Sequence, residues 1–252
     1  MITQKTEEQI KNIRIACRIL AETHAEIKKN IRPGITTLEL DKIAYDFILS
    51  KGAYPSCLGY EGYPNSICAS VNQVVVHGIP NDYALKEGDI IGIDLCVCYK
   101  GCHGDAARTY FVGNVSEGKK KLVEVTRECF FEGIKDLKAG DRVGKISNAV
   151  ETHAKKHGYG IVRELVGHGV GLAMHEDPQI PNYGNKESGP MIPVGAVLAI
   201  EPMINMGKAA VRLMPDGWTV VTMDGRPSAH YENTVLVTEN GVEILTLMEE
   251  EK

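Results

Sequence analysis

Long apolar runs, an export signal and an excess of positive charge are all missing from this 252-residue chain. No run approaches the ~20 residues that a helix needs to cross a bilayer, which excludes a membrane span. The opening MITQKTEEQIKNIR is polar and has no secretory apolar core. The seven scattered cysteines therefore read as reduced thiols of a cytosolic protein, and Cys96, Cys98 and Cys102 fit alternate strand positions better than a zinc knuckle. With 28 Lys+Arg against 33 Asp+Glu, a net charge of −5 argues against nonspecific nucleic-acid binding. No GxGxxG, GxxxxGK[ST] or GxSxG segment occurs, so dinucleotide, P-loop and α/β-hydrolase readings have no support. Ser/His/Asp catalysis stays open but has no motif. What is present is a composition of 43% hydrophobic and 24% charged residues. That is near the soluble globular average, and a chain of this length can bury about 70–75% of its extended surface.

Four helices are expected: about Thr6 to Asn30, Thr36 to Gly52, Ser116 to Lys138 and Val143 to His157. Thr6 with Gln9, and Thr36 with Glu39, form capping boxes, and Ile10, Ile13, Cys17, Leu20, His24 and Ile27 make one apolar stripe. The second and fourth helices look like copies. At a constant offset of 106, Gly34 falls on Gly140, Leu40 on Ile146, Ile43 on Ala149 and Gly52 on Gly158. Gly88-Asp89-Ile90-Ile91-Gly92-Ile93-Asp94 likewise resembles Gly195-Ala196-Val197-Leu198-Ala199-Ile200-Glu201 at an offset of 107. No Pro/Ser-rich linker intervenes. The chain reads as one domain, 1–252, with pseudo-repeats of about 1–115 and 116–252.

Asp94 and Glu201 each end an otherwise apolar strand in this reading. A buried, unpaired carboxylate costs several kcal/mol, and no Lys or Arg lies within five residues of either. A metal is one way to meet that cost. Asp105, before AARTYFVG, and Glu232, before NTVLVTENG, add a second acid to each half. His168, in Gly167-His168-Gly169, stands where the backbone can approach a ligand closely. Taken singly, an acid at a strand end is usually solvated, and His77, His168 or His175 could each be a turn histidine. The joint pattern of four carboxylates and one imidazole, two of them related by the repeat, suits two divalent cations that share and activate water.

LGYEGYPNSICASVNQVVVHGIP, GDIIGIDLCV, GCHGDAARTYFVG, RELVGHGVGLAMHEDPQIPNY, AIEPM and DGWTVVTMDGRPSAHYENTVLVTENGVEILT together resemble the type I methionine aminopeptidases of the short bacterial kind, over nearly the whole chain. The resemblance implies an α+β pita-bread fold, two pseudo-symmetric halves with an antiparallel sheet covered by helices. It implies a metalloaminopeptidase that removes the initiator methionine when the second residue is small. Asp94, Asp105, His168, Glu201 and Glu232 would hold two metal ions (Co, Mn or Fe, with Zn and Ni as further candidates), Glu201 also handling a proton. His77 and His175 would flank the scissile peptide. Cys57, Tyr60, Tyr63, Cys68 and Trp218 would line the methionine pocket, and a monovalent cation would sit near Asn72, Val74 and Ser228.

Met174 departs from the aromatic residue usual before the second of these histidines, which makes the pocket roomier. The implied partners are nascent-chain N-termini, with transient ribosome contact, for a cytoplasmic monomer with neither nucleic-acid specificity nor membrane attachment. Two rivals share the fold: a peptidase cutting before proline, and a catalytically silent module binding protein or RNA. The pocket residues and short length argue against the first, and five filled ligand positions with a net charge of −5 against the second.

Overall fold

The computed structural model describes residues 2–251. Four long helices, α1 (Glu7–Asn30), α2 (Thr37–Ser50), α3 (Glu117–Ile134) and α4 (Val143–Lys156), cover antiparallel sheets. Both expected capping boxes form: Thr6 and Thr36 accept from the N–H groups of Gln9 and Glu39, whose side chains accept in return. α2 and α4 have bounds that differ by 106 at both ends. The glycines at the paired positions share left-handed backbone, with φ +91° at Gly34 and +88° at Gly140, and +69° at Gly52 and +75° at Gly158. Only glycine adopts these angles without penalty, so the repeat reflects matched turn geometry. α3 stops at Ile134, one turn before the expected Lys138, where Asp136 takes φ +58°.

Each helix pair packs on its own sheet. Leu20, Ile27, Leu40 and Ile48 from α1 and α2 are buried against Ile91, Ile93 and Leu95 of the strand Ile90–Tyr99. Leu122, Val125, Phe130, Ile146 and Val150 from α3 and α4 are buried against Leu198, Ile200 and Val235 of the strands Val197–Ile200 and Asn233–Val237. Ile90–Tyr99 pairs with Cys68–Val71 and Cys102–Phe111. Val197–Ile200 pairs with Asn233–Val237 and Gly167–Gly169.

The two sheets meet at a seam. Thr234 accepts from the Asp105 N–H at 2.9 Å and donates to its carbonyl at 2.8 Å, and the Glu232 N–H donates to the Ala107 carbonyl at 2.9 Å. α1 crosses the same seam, packing Ile13 and Cys17 on Val170, Val197 and Leu236.

Candidate active site

The two aspartates are placed by a hairpin. Tyr99 pairs with Cys102 across Lys100-Gly101, both with positive φ (+49° and +73°), the two-residue turn that matches strand twist. That turn sets Asp94 opposite Ala107 and Asp105 opposite Cys96. Since side chains alternate, both carboxylates project from one face, as diagonal neighbours. Asp94 therefore lies in mid-strand, not at a strand end. Glu201 and Glu232 flank the rung between Ile200 and Asn233, each one residue beyond its strand. His168 lies opposite Ala199, in a strand, with glycines on either side. Those glycines answer to protein backbone rather than to a ligand: a Cβ at Gly167 would sit 2.6 Å from the Ala199 carbonyl oxygen, and one at Gly169 2.1 Å from that of Asp177.

These placements converge. Donor atoms of Asp105, His168 and Glu232 all lie within 4.8 Å of one another. His168 Nε2 is 3.7 Å from Glu201 and 3.9 Å from Asp105. Its Nδ1 is 2.8 Å from the Gly169 carbonyl, which can only accept, so Nδ1 carries the proton and the Nε2 lone pair faces the carboxylates. Burial, with His175 adding repulsion, lowers the His168 pKa to about 4, keeping the ring neutral.

Burial also pushes all four carboxyl groups up, well above the usual range for Asp105, Glu201 and Glu232, and repulsion from neighbouring carboxylates raises those three further. Among the described residues no lysine or arginine forms an ion pair with any of them. The buried Arg108 guanidinium donates to the Glu232 carbonyl and to Glu251, not to a carboxylate of this cluster. Glu232 Oε1 and His230 Nε2 are buried without a hydrogen-bond partner. Four acids, one of them carrying an orphaned oxygen, and an imidazole lone pair turned toward them form a donor set that fits divalent cations.

His230 was not foreseen. It sits in a short strand two residues before Glu232, with Nε2 3.5 Å from Glu201 and 4.0 Å from Glu232. The sequence hint was its place in the AHYENT run, two residues ahead of a candidate ligand.

Two cavities open on this cluster. One, of about 230 Å³, is lined by Cys57, Tyr60, Tyr63, Cys68, Met174 and Trp218, together with Asp94 and Asp105 of the cluster. Every expected pocket residue is present, and Met174 is buried among them. Tyr63 turns its hydroxyl to the carbonyls of Ile67 and Gly78, at 3.1 Å each, leaving its ring against Trp218 with centroids 5.1 Å apart. Glu61, also absent from the sequence expectations, stands in the lining, with φ +47°. The second cavity, about 430 Å³, takes in His168, Glu176, Gln179 and Glu201. His77 and His175 border both. His77 is held at φ +57°, a strained angle for a non-glycine residue, and burial lowers its pKa to about 4. His175 Nδ1 meets the Tyr60 hydroxyl at 2.8 Å. Away from the cluster, the Ser228 N–H donates to the Asn72 carbonyl at 2.8 Å, while Val74 lines a separate cavity with Asn72.

The family model described as metallopeptidase family M24 matches residues 11–239. The chain is 52% identical over 248 residues to a methionine aminopeptidase of Clostridium perfringens, covering 98% of this chain and 100% of that one. It is 52% identical over 246 residues to methionine aminopeptidase 1 of Bacillus subtilis, covering 98% and 99%. The crystal structure of the methionine aminopeptidase from Rickettsia prowazekii superposes with a TM-score of 0.96 at 42% identity, over 98% of this chain and 100% of that one.

Proposed function

The chain belongs to metallopeptidase family M24 and acts as a metalloaminopeptidase that removes the initiator methionine, and on that premise we propose how its residues divide the work. Asp94, Asp105, His168, Glu201 and Glu232 would hold two divalent ions, with Asp105 and Glu232 as ligands common to both, Asp94 as a ligand of one and His168 with Glu201 as ligands of the other. The observation that carries this reading is the convergence of four carboxylates and a neutral imidazole, none of the carboxylates being ion-paired to a lysine or arginine among the described residues. When bound, the ions supply positive charge at the substrate carbonyl and lower the pKa of water toward neutrality. The carboxylate-rich donor set suits Mn, Fe or Co, with Zn and Ni also accepted, and availability decides among them.

The methionine side chain enters the smaller cavity, where its thioether meets the sulfurs of Cys57 and Cys68 and the rings of Tyr63 and Trp218. Glu201 takes the proton released when water attacks and passes it to the departing amine. With Tyr60 as the donor across its 2.8 Å contact with His175 Nδ1, His175 keeps its proton on Nε2 and donates it to the carbonyl oxygen as that oxygen becomes negative. His77 borders the scissile bond from the other side. The rest of the peptide leaves past these two histidines, and the narrowness of that passage favours a small second residue. The substrates are nascent-chain N-termini, met in the cytoplasm by a monomer in transient contact with the ribosome. A monovalent cation near Asn72, Val74 and Ser228 belongs to the same proposal.

Metal content separates the roles. Glu232→Gln is expected to lose bound metal and turnover together. His175→Ala is expected to keep its metal while kcat/KM falls by about 10²–10³, the usual loss of one oxyanion donor. Full metal occupancy in Glu232→Gln, or metal loss in His175→Ala, would reverse the assignment.

A further inference from the structure

A second cluster of ligating side chains lies on the outer helical layer. α3 and α4 run antiparallel in tight register. A Cβ at Gly133 would stand 3.1 Å from the Val150 side chain and 3.4 Å from that of Ile146, and Cys129 reaches the Val150 carbonyl at 3.8 Å. One turn further along, Glu128 of α3 meets His153 of α4, with Oε2 2.8 Å from Nε2. Another turn on, the Glu124 carboxylate is held below its usual range, first by Lys121 and in smaller part by His157. The two histidines are four residues apart, hence on one helical face, with ring centroids 4.9 Å apart.

We propose that Glu128, His153 and His157 form a zinc-binding site that clips α3 to α4, separate from the catalytic cluster. Their donor atoms all lie within 4.8 Å of one another. Ligands at about 2.0–2.1 Å around a tetrahedral ion stand roughly 3.3 Å apart, between the present 2.8 Å contact and that outer limit, so side-chain rotation alone closes the site. Three protein ligands leave a fourth position for water. Two imidazoles and one carboxylate make a nitrogen-rich donor set, which favours Zn²⁺ over Mn²⁺, whereas the catalytic cluster is dominated by oxygen. The close helix packing at Gly133 holds the two faces in place before any ion arrives, as a preorganised site requires. All three residues are partly accessible to solvent, so the site has an entry path.

The test is the zinc content of protein equilibrated against buffered free Zn²⁺, measured by mass spectrometry of the metal. Wild-type protein should hold one zinc per chain more than His153→Ala or His157→Gln. Zinc should also raise the Tm of wild type by several degrees more than that of either variant, since an ion bound only by the folded state stabilises it by mass action. Release of methionine by the Mn²⁺-loaded protein should be the same in all three. His157→Gln leaves the Glu128–His153 hydrogen bond intact, so it decides the question alone if His153→Ala does not fold. Equal zinc content in wild type and His157→Gln would overturn the proposal, leaving the Glu128–His153 contact as a hydrogen bond between helices.

Discussion

Hydrogen-bond partners separate the buried histidines around the carboxylate cluster into distinct kinds. His168 is anchored through Nδ1 and presents Nε2, the posture of a ligand. His230 is as deeply buried, yet its Nε2 has no hydrogen-bond partner and faces Glu201 and Glu232. In the sequence its one mark was its closeness to Glu232, because its other neighbour, Glu201, comes from a distant strand. The pocket residues were legible only through the family resemblance, since Cys57, Tyr63 and Trp218 have no spacing that points to a shared cavity. At this scale Met174 yields a prediction. It is buried in the lining of the cavity proposed to take the methionine side chain, where it presents a flexible thioether. Discrimination among apolar side chains there is about 1–3 kcal/mol. Met174→Phe should therefore raise the preference for Met over Leu at the first position and leave the second unchanged, as read by competition among Met-Ala-Ser, Leu-Ala-Ser and Met-Val-Ser.

At the scale of elements, the legible features were those with local causes: capping boxes, helix-stopping glycines and the 106-residue offset. Strand positions were less so. Asp94 reads as a strand end because a carboxylate closes the apolar run from Ile90, but Leu95, Cys96, Val97 and Cys98 carry that run onward, cysteine being a small apolar residue, and the strand continues to Tyr99. Gly104 shows how an element outside the site sets its geometry. A Cβ there would fall 2.5 Å from Cys17 Sγ, and 3.1 Å and 3.2 Å from the Cys17 backbone N and Cα. α1 thus packs directly on the residue before Asp105. Gly104→Ala should force helix and hairpin apart, costing about 1–3 kcal/mol in urea unfolding, as overpacking does. It should also weaken divalent-metal binding by moving Asp105. Cys17→Ala added to it should restore only part of the loss, because the backbone contacts remain.

For the whole molecule, the seam between halves brings the carboxylates together, and buried polar groups brace the seam and the helix packed beside it. Arg108 ties the Glu232 carbonyl and Asn233 to the C-terminal Glu251. His24 of α1 bonds the Tyr110 hydroxyl at 3.0 Å and the Ala106 carbonyl at 3.1 Å. Burial, helped by the Arg108 charge, lowers the His24 pKa to about 3. The unfolded chain would bind this proton near pH 6.5, so between pH 6.5 and 3 it holds more protons than the folded one. The contribution of His24 is complete above pH 6.5 and is lost as pH falls toward 3, by up to about 1.4 kcal/mol per pH unit. His24→Gln should therefore destabilise the protein more at pH 7 than at pH 4.5, as measured by urea midpoints. An equal effect at both pH values would show that His24 is not held neutral.

The convergence of Asp94, Asp105, His168, Glu201 and Glu232 on divalent metal is tested most directly by a titration. Chelator-stripped protein should release no methionine from Met-Ala-Ser, and turnover should return and saturate as Mn²⁺ is added back. A full rate of methionine release from the stripped protein, unchanged by added Mn²⁺, would contradict a metal-dependent centre at the seam.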